Sequence, residues 1–182
     1  MKIAVYCSSR EDLGPDVTGA AEMVGSAIGR CGATLVYGGV NAGLMHTVAG
    51  AASRAGARVL GVVPEVFRHR ADPVCDEVVF TSDLNERKGV MINQSDVFIV
   101  LPGGLGTIDE WLSTLSDIMV RERVDRDADR PILVLNLNGM YDGMVRQLCE
   151  TAGSVFARGK RVDRSLVFST ARELVAALES LV

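Results

Sequence analysis

The 182-residue sequence has little of what a metal enzyme or a disulfide-bonded protein needs. Its only two histidines, His46 and His69, are too far apart to form the pair that zinc enzymes carry on one helix. Its four cysteines are widely separated and form no CxxC pair, so we expect reduced cysteines that pack as small apolar side chains. The sequence therefore predicts neither a metal site nor a disulfide.

Positive charge, aromatic residues and long apolar runs are also scarce. The net charge is −4 and aromatic residues make up 5% of the chain, a composition that argues against a nucleic-acid partner. Residues 1–7 are too short an apolar run for a signal peptide, and no stretch reaches the roughly 20 apolar residues of a membrane span. We expect a cytoplasmic protein that binds no membrane and forms one domain over residues 1–182.

Short β-branched runs alternate along the chain with segments of helical periodicity. Seven runs predict strands: KIAVYC (2–7), ATLVYGG (33–39), RVLGVVP (58–64), EVVF (77–80), DVFIVLP (96–102), PILVLN (131–136) and SLVF (165–168). Most are apolar throughout, as expected of strands covered by helices on both faces. The pattern predicts an α/β fold with a mainly parallel sheet of about seven strands. The charged run at 121–130 is interpreted as a solvated loop between a helix and a strand.

Ligands bind such sheets outside the carboxyl ends of the strands, where two predicted loops contain serine or glycine. YCSSRED (6–12) offers the hydroxyls of Ser8 and Ser9, although serine also serves turns and helix caps. YGGVNAGLMH (37–46) has the glycine spacing of a phosphate loop, but a tight turn without a ligand explains it equally well. It fits neither the Walker A nor the GxGxxG pattern, which argues against ATP hydrolysis and ordinary NAD binding.

The third loop, VLPGGLGTIDEW (100–111), places two acids beside the expected seat of an anion. Its glycines free the backbone, and we predict Thr107 as the N-cap of the following helix, whose positive end suits a phosphate. On the helix, six apolar residues form one stripe that we expect to face the sheet: Ile108, Trp111, Leu112, Leu115, Ile118 and Met119. Glu110 has two interpretations: a capping-box partner of Thr107, or a catalytic carboxylate.

The segment upstream, SDLNERKGVMINQSD (82–96), predicts a helix capped by Ser82 or Asp83. It carries Arg87 and Lys88, the conspicuous cations near the glycine loop. On an exposed helix face such a pair is usually solvated, so the residues alone leave its role open.

Three segments together resemble the LOG ("Lonely Guy") family of cytokinin riboside 5′-monophosphate phosphoribohydrolases. They are ERK (86–88), SDVFIVLPGGLGTIDE (95–110) and YGGVNAGLM (37–45), within a likeness that runs from YCSS through PILVLNLNGMYDGM (131–144). The resemblance implies a Rossmann-like three-layer α/β/α fold and hydrolysis of the N-glycosidic bond of a nucleoside 5′-monophosphate. The implied substrates are N6-modified adenosine monophosphates or AMP, and the implied assembly is a homodimer.

The resemblance also implies roles for individual residues. Arg87 and Glu110 match the family's essential arginine and glutamate. The matching substrate-binding positions are Ser8, Gly39, Met45, Lys88, Gly103, Gly104, Leu105, Gly106, Thr107, Ile108 and Asp109. Glu110 is then expected to stabilise the positive charge that develops on the ribose and to position a water. No metal or cofactor is implied.

The sequence departs from the family pattern at two places that bear on the substrate. His46 stands where the family usually has a small glycine, and the loop after the third strand reads Arg68-His69-Arg70 where plant-type members carry a substrate-contacting glutamate. These departures leave open a specialised hydrolase for an unusual nucleotide. A non-catalytic nucleotide or cofactor carrier is the other alternative, because related folds bind ligands with the same loops and a fold does not determine function. Lysine decarboxylation, a label often given to bacterial members, needs a Schiff-base lysine, for which Lys88 is the sole candidate among three lysines.

Overall fold

Strands and helices alternate along the chain in a computed structural model that describes residues 1–121, 130–152 and 165–181. The strands are β1 (Lys2–Tyr6), β2 (Thr34–Tyr37), β3 (Arg58–Pro64), β4 (Glu77–Thr81), β5 (Val97–Val100), β6 (Ile132–Leu135) and β7 (Ser165–Phe168). The helices are α1 (Pro15–Arg30), α2 (Gly43–Arg54), α3 (Leu84–Asn93), α4 (Leu105–Arg121), α5 (Asp142–Ala152) and α6 (Ala171–Glu179). A short 3₁₀ helix spans Glu65–Arg70, and another spans Leu137–Gly139.

The seven strands form one sheet in the order β4-β3-β2-β1-β5-β6-β7, and every neighbouring pair is parallel. All seven predicted strands are therefore confirmed, as is the parallel α/β class. The strand order reverses between β1 and β5, which lie side by side although three strands and three α-helices separate them in the chain. Such a reversal opens a crevice at the carboxyl ends of the two strands.

Alternate residues of each strand pack on opposite faces of the sheet, which explains why the strands are apolar throughout. In β1, Ile3 and Val5 contact the side chains of α1, α2 and α6, whereas Ala4 and Tyr6 contact those of α3, α4 and α5. The sheet is thus the middle of three layers. Among the described residues, no helix combines the length and the apolar character that crossing a membrane requires.

Helix starts agree only in part with the sequence prediction. Asp83 caps α3 as expected, because its carboxylate accepts from the backbone N–H groups of Asn85 and Glu86. Thr107 is not the N-cap of α4: the helix already begins at Leu105, and Ile108 N–H donates to the Gly104 carbonyl at 3.1 Å. With Thr107 inside the first turn, the proposed Thr107–Glu110 capping box does not form, and Glu110 is available for other contacts.

The predicted apolar stripe of α4 faces the sheet. Trp111, Leu115 and Ile118 are buried, and Ile108 and Met119 pack against the same cluster, whereas Leu112 is half-buried at the edge of the stripe. Trp111 therefore belongs to the core, and its indole N–H donates to the Ser165 hydroxyl of β7 at 2.9 Å. Residues 122–129, which cover most of the charged run interpreted as a loop, lie outside the described residues.

Candidate active site

The loops after β1 and β5 meet at the point where the strand order reverses. Leu101 N–H donates to the Tyr6 carbonyl at 2.9 Å, and Ser8 N–H donates to the Pro102 carbonyl at 3.2 Å. The Tyr141 hydroxyl at the start of α5 also donates to the Leu101 carbonyl, at 2.9 Å. These bonds hold the two loops beside an open cavity of about 290 Å³.

Arg87 of α3 and Glu110 of α4 form a nearly buried ion pair at this cavity. Their side chains are 12% and 6% exposed, and Arg87 Nη2 lies 3.0 Å from Glu110 Oε1. Arg87 Nε also donates to the Val62 carbonyl of β3 at 3.1 Å, which fixes the guanidinium between the sheet and the acid. The pair joins residues of two different helices, 23 positions apart in the chain, so it is a built feature of the fold rather than a local surface contact.

Burial raises the pKa of Glu110 to about 7, because the carboxylate loses water when it is enclosed. The positive charge of Arg87 opposes the shift, the nearby charge of Asp109 adds to it, and Lys88 lowers it. Glu110 is therefore divided between its ionised and protonated forms near neutral pH. A carboxyl group with this balance can accept a proton and give it back under physiological conditions.

The absence of a side chain at Gly38 makes room for the ion pair. A Cβ atom at this position would lie 2.3 Å from Arg87 Nη2 and 2.9 Å from Met45 Cε. The first glycine of the YGGVNAG segment thus lets the guanidinium cross the end of β2. Gly38 therefore makes room for an arginine side chain, whereas the sequence pattern indicated that it makes room for a phosphate.

Backbone groups and one free cation give the other end of the cavity an anion-binding character. Gly104, Gly106 and Thr107, at the N-terminus of α4, line this end, where unpaired N–H groups and the positive end of the helix dipole favour an anion. Arg10 also lines the cavity, and within the described residues its side chain has no hydrogen-bond or ion-pair partner. The anion-binding end therefore lies beside the Arg87–Glu110 pair.

A second, smaller cavity of about 130 Å³ adjoins the first and shares Ser9, Met45 and Arg87 with it. Its remaining walls are Val40 of the loop after β2, Pro64 at the end of β3, and Phe67 and Arg70 of the 3₁₀ helix that follows. These walls are largely apolar, apart from the arginines and Ser9. The two cavities give the site an anion-binding end, a middle occupied by the ion pair and an apolar end.

The structure brings together seven of the thirteen residues that the sequence assigned to the site. The larger cavity is lined by Ser8, Met45, Arg87, Gly104, Gly106, Thr107 and Glu110. The other six do not line it: Gly39, Lys88, Gly103, Leu105, Ile108 and Asp109. Leu105 is 86% exposed, and Ile108 packs against the core instead.

Lys88 and Asp109 bind each other beside the cavity. The Lys88 ammonium lies 2.8 and 3.0 Å from the two carboxylate oxygens of Asp109, and its side chain is 17% exposed. This contact ties α3 to α4 next to the Arg87–Glu110 pair, so the two adjacent cations of α3 each hold one of the two adjacent acids of α4.

Sequence reasoning missed several residues that line the two cavities. Arg10 follows the serines that were considered, but an arginine at a loop end carries no sequence signal of its own. Cys7 was interpreted only as a small apolar residue; it is buried at the cavity floor, and burial raises the pKa of its thiol. The walls of the second cavity lie far apart in the chain, and only the parallel neighbours β2 and β3 bring them together.

The fold and this site define a Rossmann-like α/β protein in which an anion-binding helix N-terminus lies beside a buried carboxylate–guanidinium pair. The sequence profile of a family described as "Possible lysine decarboxylase" matches residues 45–178. The chain belongs to this family, the LOG family.

Named relatives agree over nearly the whole chain. A cytokinin riboside 5′-monophosphate phosphoribohydrolase of Mycobacterium tuberculosis is 34% identical, with 96% of this chain and 91% of the relative aligned. The enzyme of the same name called LOG from Oryza sativa is also 34% identical, over 100% of this chain and 74% of the relative. A further relative of that name from Rhodococcoides fascians is 32% identical over 98% and 89% of the two chains.

Solved structures share the fold at lower identity. The molybdenum cofactor binding protein of Rippkaea orientalis superposes with a TM-score of 0.76 at 21% identity, covering 99% of this chain and 96% of that one. The molybdenum cofactor carrier protein of Chlamydomonas reinhardtii gives 0.74 at 22% identity, with the same coverage. At these identities the likeness concerns the fold alone, and it confirms the predicted Rossmann-like architecture.

Proposed function

We propose that this protein hydrolyses the N-glycosidic bond of a nucleoside 5′-monophosphate, releasing the free base and ribose 5-phosphate. The observation that carries the proposal is the buried Arg87–Glu110 pair, 3.0 Å apart, beside an anion-binding helix N-terminus. The relatives named as cytokinin riboside 5′-monophosphate phosphoribohydrolases support this reaction, with N6-modified AMP or AMP as reference substrates.

The order of the two cavities suggests how the nucleotide lies. The 5′-phosphate accepts hydrogen bonds from the N-terminal turn of α4 and pairs with Arg10. The ribose then lies over Glu110 and Arg87, and the base extends into the smaller cavity between Met45 and Phe67. Binding the phosphate in this way fixes the reacting carbon relative to the carboxylate, which lowers the entropic part of the barrier.

Glu110 supplies the chemistry in this proposal. The bond between C1′ and the base nitrogen breaks with its electron pair moving to the base, and C1′ becomes positively charged. The ionised Glu110 stabilises this charge, and a water then forms the new bond to C1′ while Glu110 accepts its proton. The base takes up one proton in return, so the sum of the steps is the addition of one water. Arg87 orients the carboxylate and keeps part of it ionised.

Replacing Glu110 with glutamine tests the proposal. Glutamine keeps the size of the side chain and an oxygen that accepts from Arg87, but it carries no negative charge and accepts no proton. We expect release of base from AMP and N6-isopentenyl-AMP to fall by about 10²- to 10⁴-fold, with the folded state retained. The same isosteric change at Glu179, which pairs with Arg30 on the opposite layer, serves as the control.

Two outcomes would contradict the proposal. If Glu110→Gln folds and releases base at the wild-type rate, Glu110 has no catalytic role. If the wild-type protein binds nucleotide saturably and releases no base, the protein is a carrier on this fold instead.

The site gives less support to the decarboxylase activity in the family's description. A pyridoxal enzyme needs a lysine free to form a Schiff base. Lys88 is instead paired with Asp109, and Lys2 lies at the amino end of β1, where its ammonium donates to the Gln94 side chain at 2.5 Å. Lys160 lies outside the described residues.

The assembly and setting that we propose go with this function. We propose a homodimer of single-domain chains in the cytoplasm, acting on a small nucleotide without a nucleic-acid partner. Exposed apolar side chains on the α3 and α4 layer support the dimer: Leu84 at the start of α3, and Leu105 and Val120 on α4. The net charge of −4 and pI of about 5.2 disfavour a polyanionic partner.

A further inference from the structure

His46, which stands where the family usually has a glycine, makes one specific contact. Its Nδ1 donates to Asp72 Oδ2 at 2.9 Å. The Asp72 side chain is fully buried, whereas that of His46 is about half exposed. The other carboxylate oxygen of Asp72 accepts from Val74 N–H at 3.1 Å. His46, on α2, thus donates a hydrogen bond to a buried carboxylate in the segment after β3.

The same two segments are also joined through their backbones. Asp72 N–H donates to the Gly39 carbonyl at 2.8 Å, and Asn41 N–H donates to the Arg70 carbonyl at 2.9 Å. Val40 and Ala71 form a short antiparallel bridge between these bonds. The segment 70–72 is therefore paired with 39–41, and the His46–Asp72 bond braces this pairing from α2.

The braced segments form opposite walls of the smaller cavity. Val40 and Met45 lie on one side, where Met45 precedes His46 on α2. Phe67 and Arg70 lie on the other side, on the 3₁₀ helix that ends two residues before Asp72. Both of these wall residues are exposed on their outer side, and their segment is otherwise held through Arg68, whose guanidinium lies 3.5 Å from the centre of the Phe80 ring of β4.

We infer that the His46–Asp72 pair is a positioning device that sets the width of the cavity for the base, an inference that rests on the proposed function. Without His46, the buried Asp72 carboxylate keeps the Val74 N–H and the Tyr37 hydroxyl of β2 as neighbours but loses its bond to α2, and the segment 65–72 gains freedom to move away from that helix. The pair touches neither the phosphate end nor Glu110. It therefore governs affinity for the base part of the nucleotide and leaves the phosphate and ribose contacts intact.

Two variants of His46 separate this role from general stabilisation. His46→Ala removes the bond, whereas His46→Asn retains it, because the asparagine amide nitrogen is bonded to Cγ as Nδ1 is in histidine. We expect His46→Ala to raise KM for AMP roughly tenfold, the equivalent of one hydrogen bond, with little change in kcat. His46→Asn restores most of the affinity. Glu179→Gln, which alters an exposed ion pair with Arg30 away from both cavities, leaves KM unchanged.

Ribose 5-phosphate provides the discriminating probe because it lacks a base. Its inhibition constant is expected to be the same for wild type and His46→Ala. If AMP and ribose 5-phosphate weaken equally, or if the melting temperature falls with no change in KM for AMP, the inference is wrong.

Binding of AMP to the same variants in a Glu110→Gln background repeats the test without catalysis. If the wild type releases no base, the proposed hydrolysis fails, and the ratio of AMP dissociation constants still decides the role of the pair. A tenfold weaker Kd that His46→Asn restores supports the inference; equal Kd values overturn it.

Discussion

Asp109 and Glu110 are neighbours in the chain with opposite surroundings. The Asp109 side chain is 58% exposed and binds Lys88, whereas that of Glu110 is 6% exposed and binds Arg87. The direction in which each side chain leaves α4 decides this difference, since successive helical residues point about 100° apart. Glu110 is enclosed deeply enough that burial raises its pKa to about 7.

Hydroxyl groups behind Glu110 hold its backbone in place. The Thr114 hydroxyl donates to the Glu110 carbonyl at 2.8 Å, and the buried Tyr6 hydroxyl lies 2.8 Å from Thr114 Oγ1. Burial raises the pKa of Tyr6, so its hydroxyl keeps its proton and donates to Thr114. The first turns of α4 are thereby tied to β1, which keeps Glu110 over the cavity.

The pKa of Glu110 predicts how activity depends on pH. Only the ionised carboxylate stabilises a cationic ribose and accepts a proton, and burial places its pKa at about 7. We therefore expect kcat/KM for AMP to rise with pH and to level off above about pH 7, as measured across roughly pH 5 to 9. Because Arg87 lowers this pKa, Arg87→Gln is expected to shift the increase in kcat/KM to higher pH. The same variant is expected to reduce the maximal kcat/KM. A flat profile through this range would exclude Glu110 as the titrating base.

The contact between α1 and α2 determines where α2 places Met45 and His46. A Cβ atom at Gly25 of α1 would lie 2.3 Å from the Val48 carbonyl of α2, and one at Gly29 would lie 2.4 Å from Ala55 Cβ. The two helices therefore approach through glycine and alanine, closer than larger residues allow. The position of α2 relative to α1 depends on these small residues.

Two glycine-to-alanine substitutions on α1 are expected to change the stability of the fold in opposite directions. Gly19 is exposed and a Cβ there meets nothing within 4 Å, so Gly19→Ala is expected to stabilise the fold by about 0.5–1 kcal/mol through helix propensity. Gly25→Ala raises helix propensity by the same amount but pushes α1 away from α2. The net expected effect is a loss of about 1–3 kcal/mol in the stability of the fold. Denaturant unfolding at equilibrium measures both. A stabilised Gly25→Ala variant would contradict the close approach.

At the scale of the whole molecule, periodic patterns predicted the fold better than the site. The seven apolar runs gave the strands because burial on both faces leaves an unambiguous signal. The prediction that Thr107 caps α4 was wrong, because glycines at 104 and 106 fit a loop as well as a first helical turn. Arg10 and the walls of the smaller cavity were missed because their proximity depends on the order of the strands in space. The family resemblance identified Arg87 and Glu110 as site residues, whereas spacing alone left their roles open.

The proposed homodimer predicts the effect of charge on the α3 and α4 surface. Leu105 and Val120 are 86% and 60% exposed, so both apolar side chains on α4 are open to contact with a partner chain. The double change Leu105→Glu and Val120→Glu is expected to convert a dimer into a monomer in light scattering after size-exclusion chromatography. Met23→Glu, on α1 in the opposite layer, is the control and leaves the mass unchanged. A wild-type protein that is monomeric at micromolar concentration would refute the dimer.

The ionisation of Glu110 also links activity to the stability of the whole fold. Its pKa rises from 4.5 to about 7 on folding, so the folded state binds more protons than the unfolded state between these values. The stabilisation contributed by this group is therefore complete below about pH 4.5 and is lost as pH rises through about 7.

Comparison of wild type with Glu110→Gln isolates this effect from all other titrations, because glutamine does not ionise. The free energy of unfolding of the variant, relative to wild type, is expected to increase by on the order of 2–3 kcal/mol between about pH 5 and pH 8. Urea unfolding at a series of pH values measures it, and a constant difference would show that Glu110 is already ionised at pH 5. If the difference increases as expected, the pH range that activates the carboxylate is the range in which it weakens the fold, because both depend on the same buried charge.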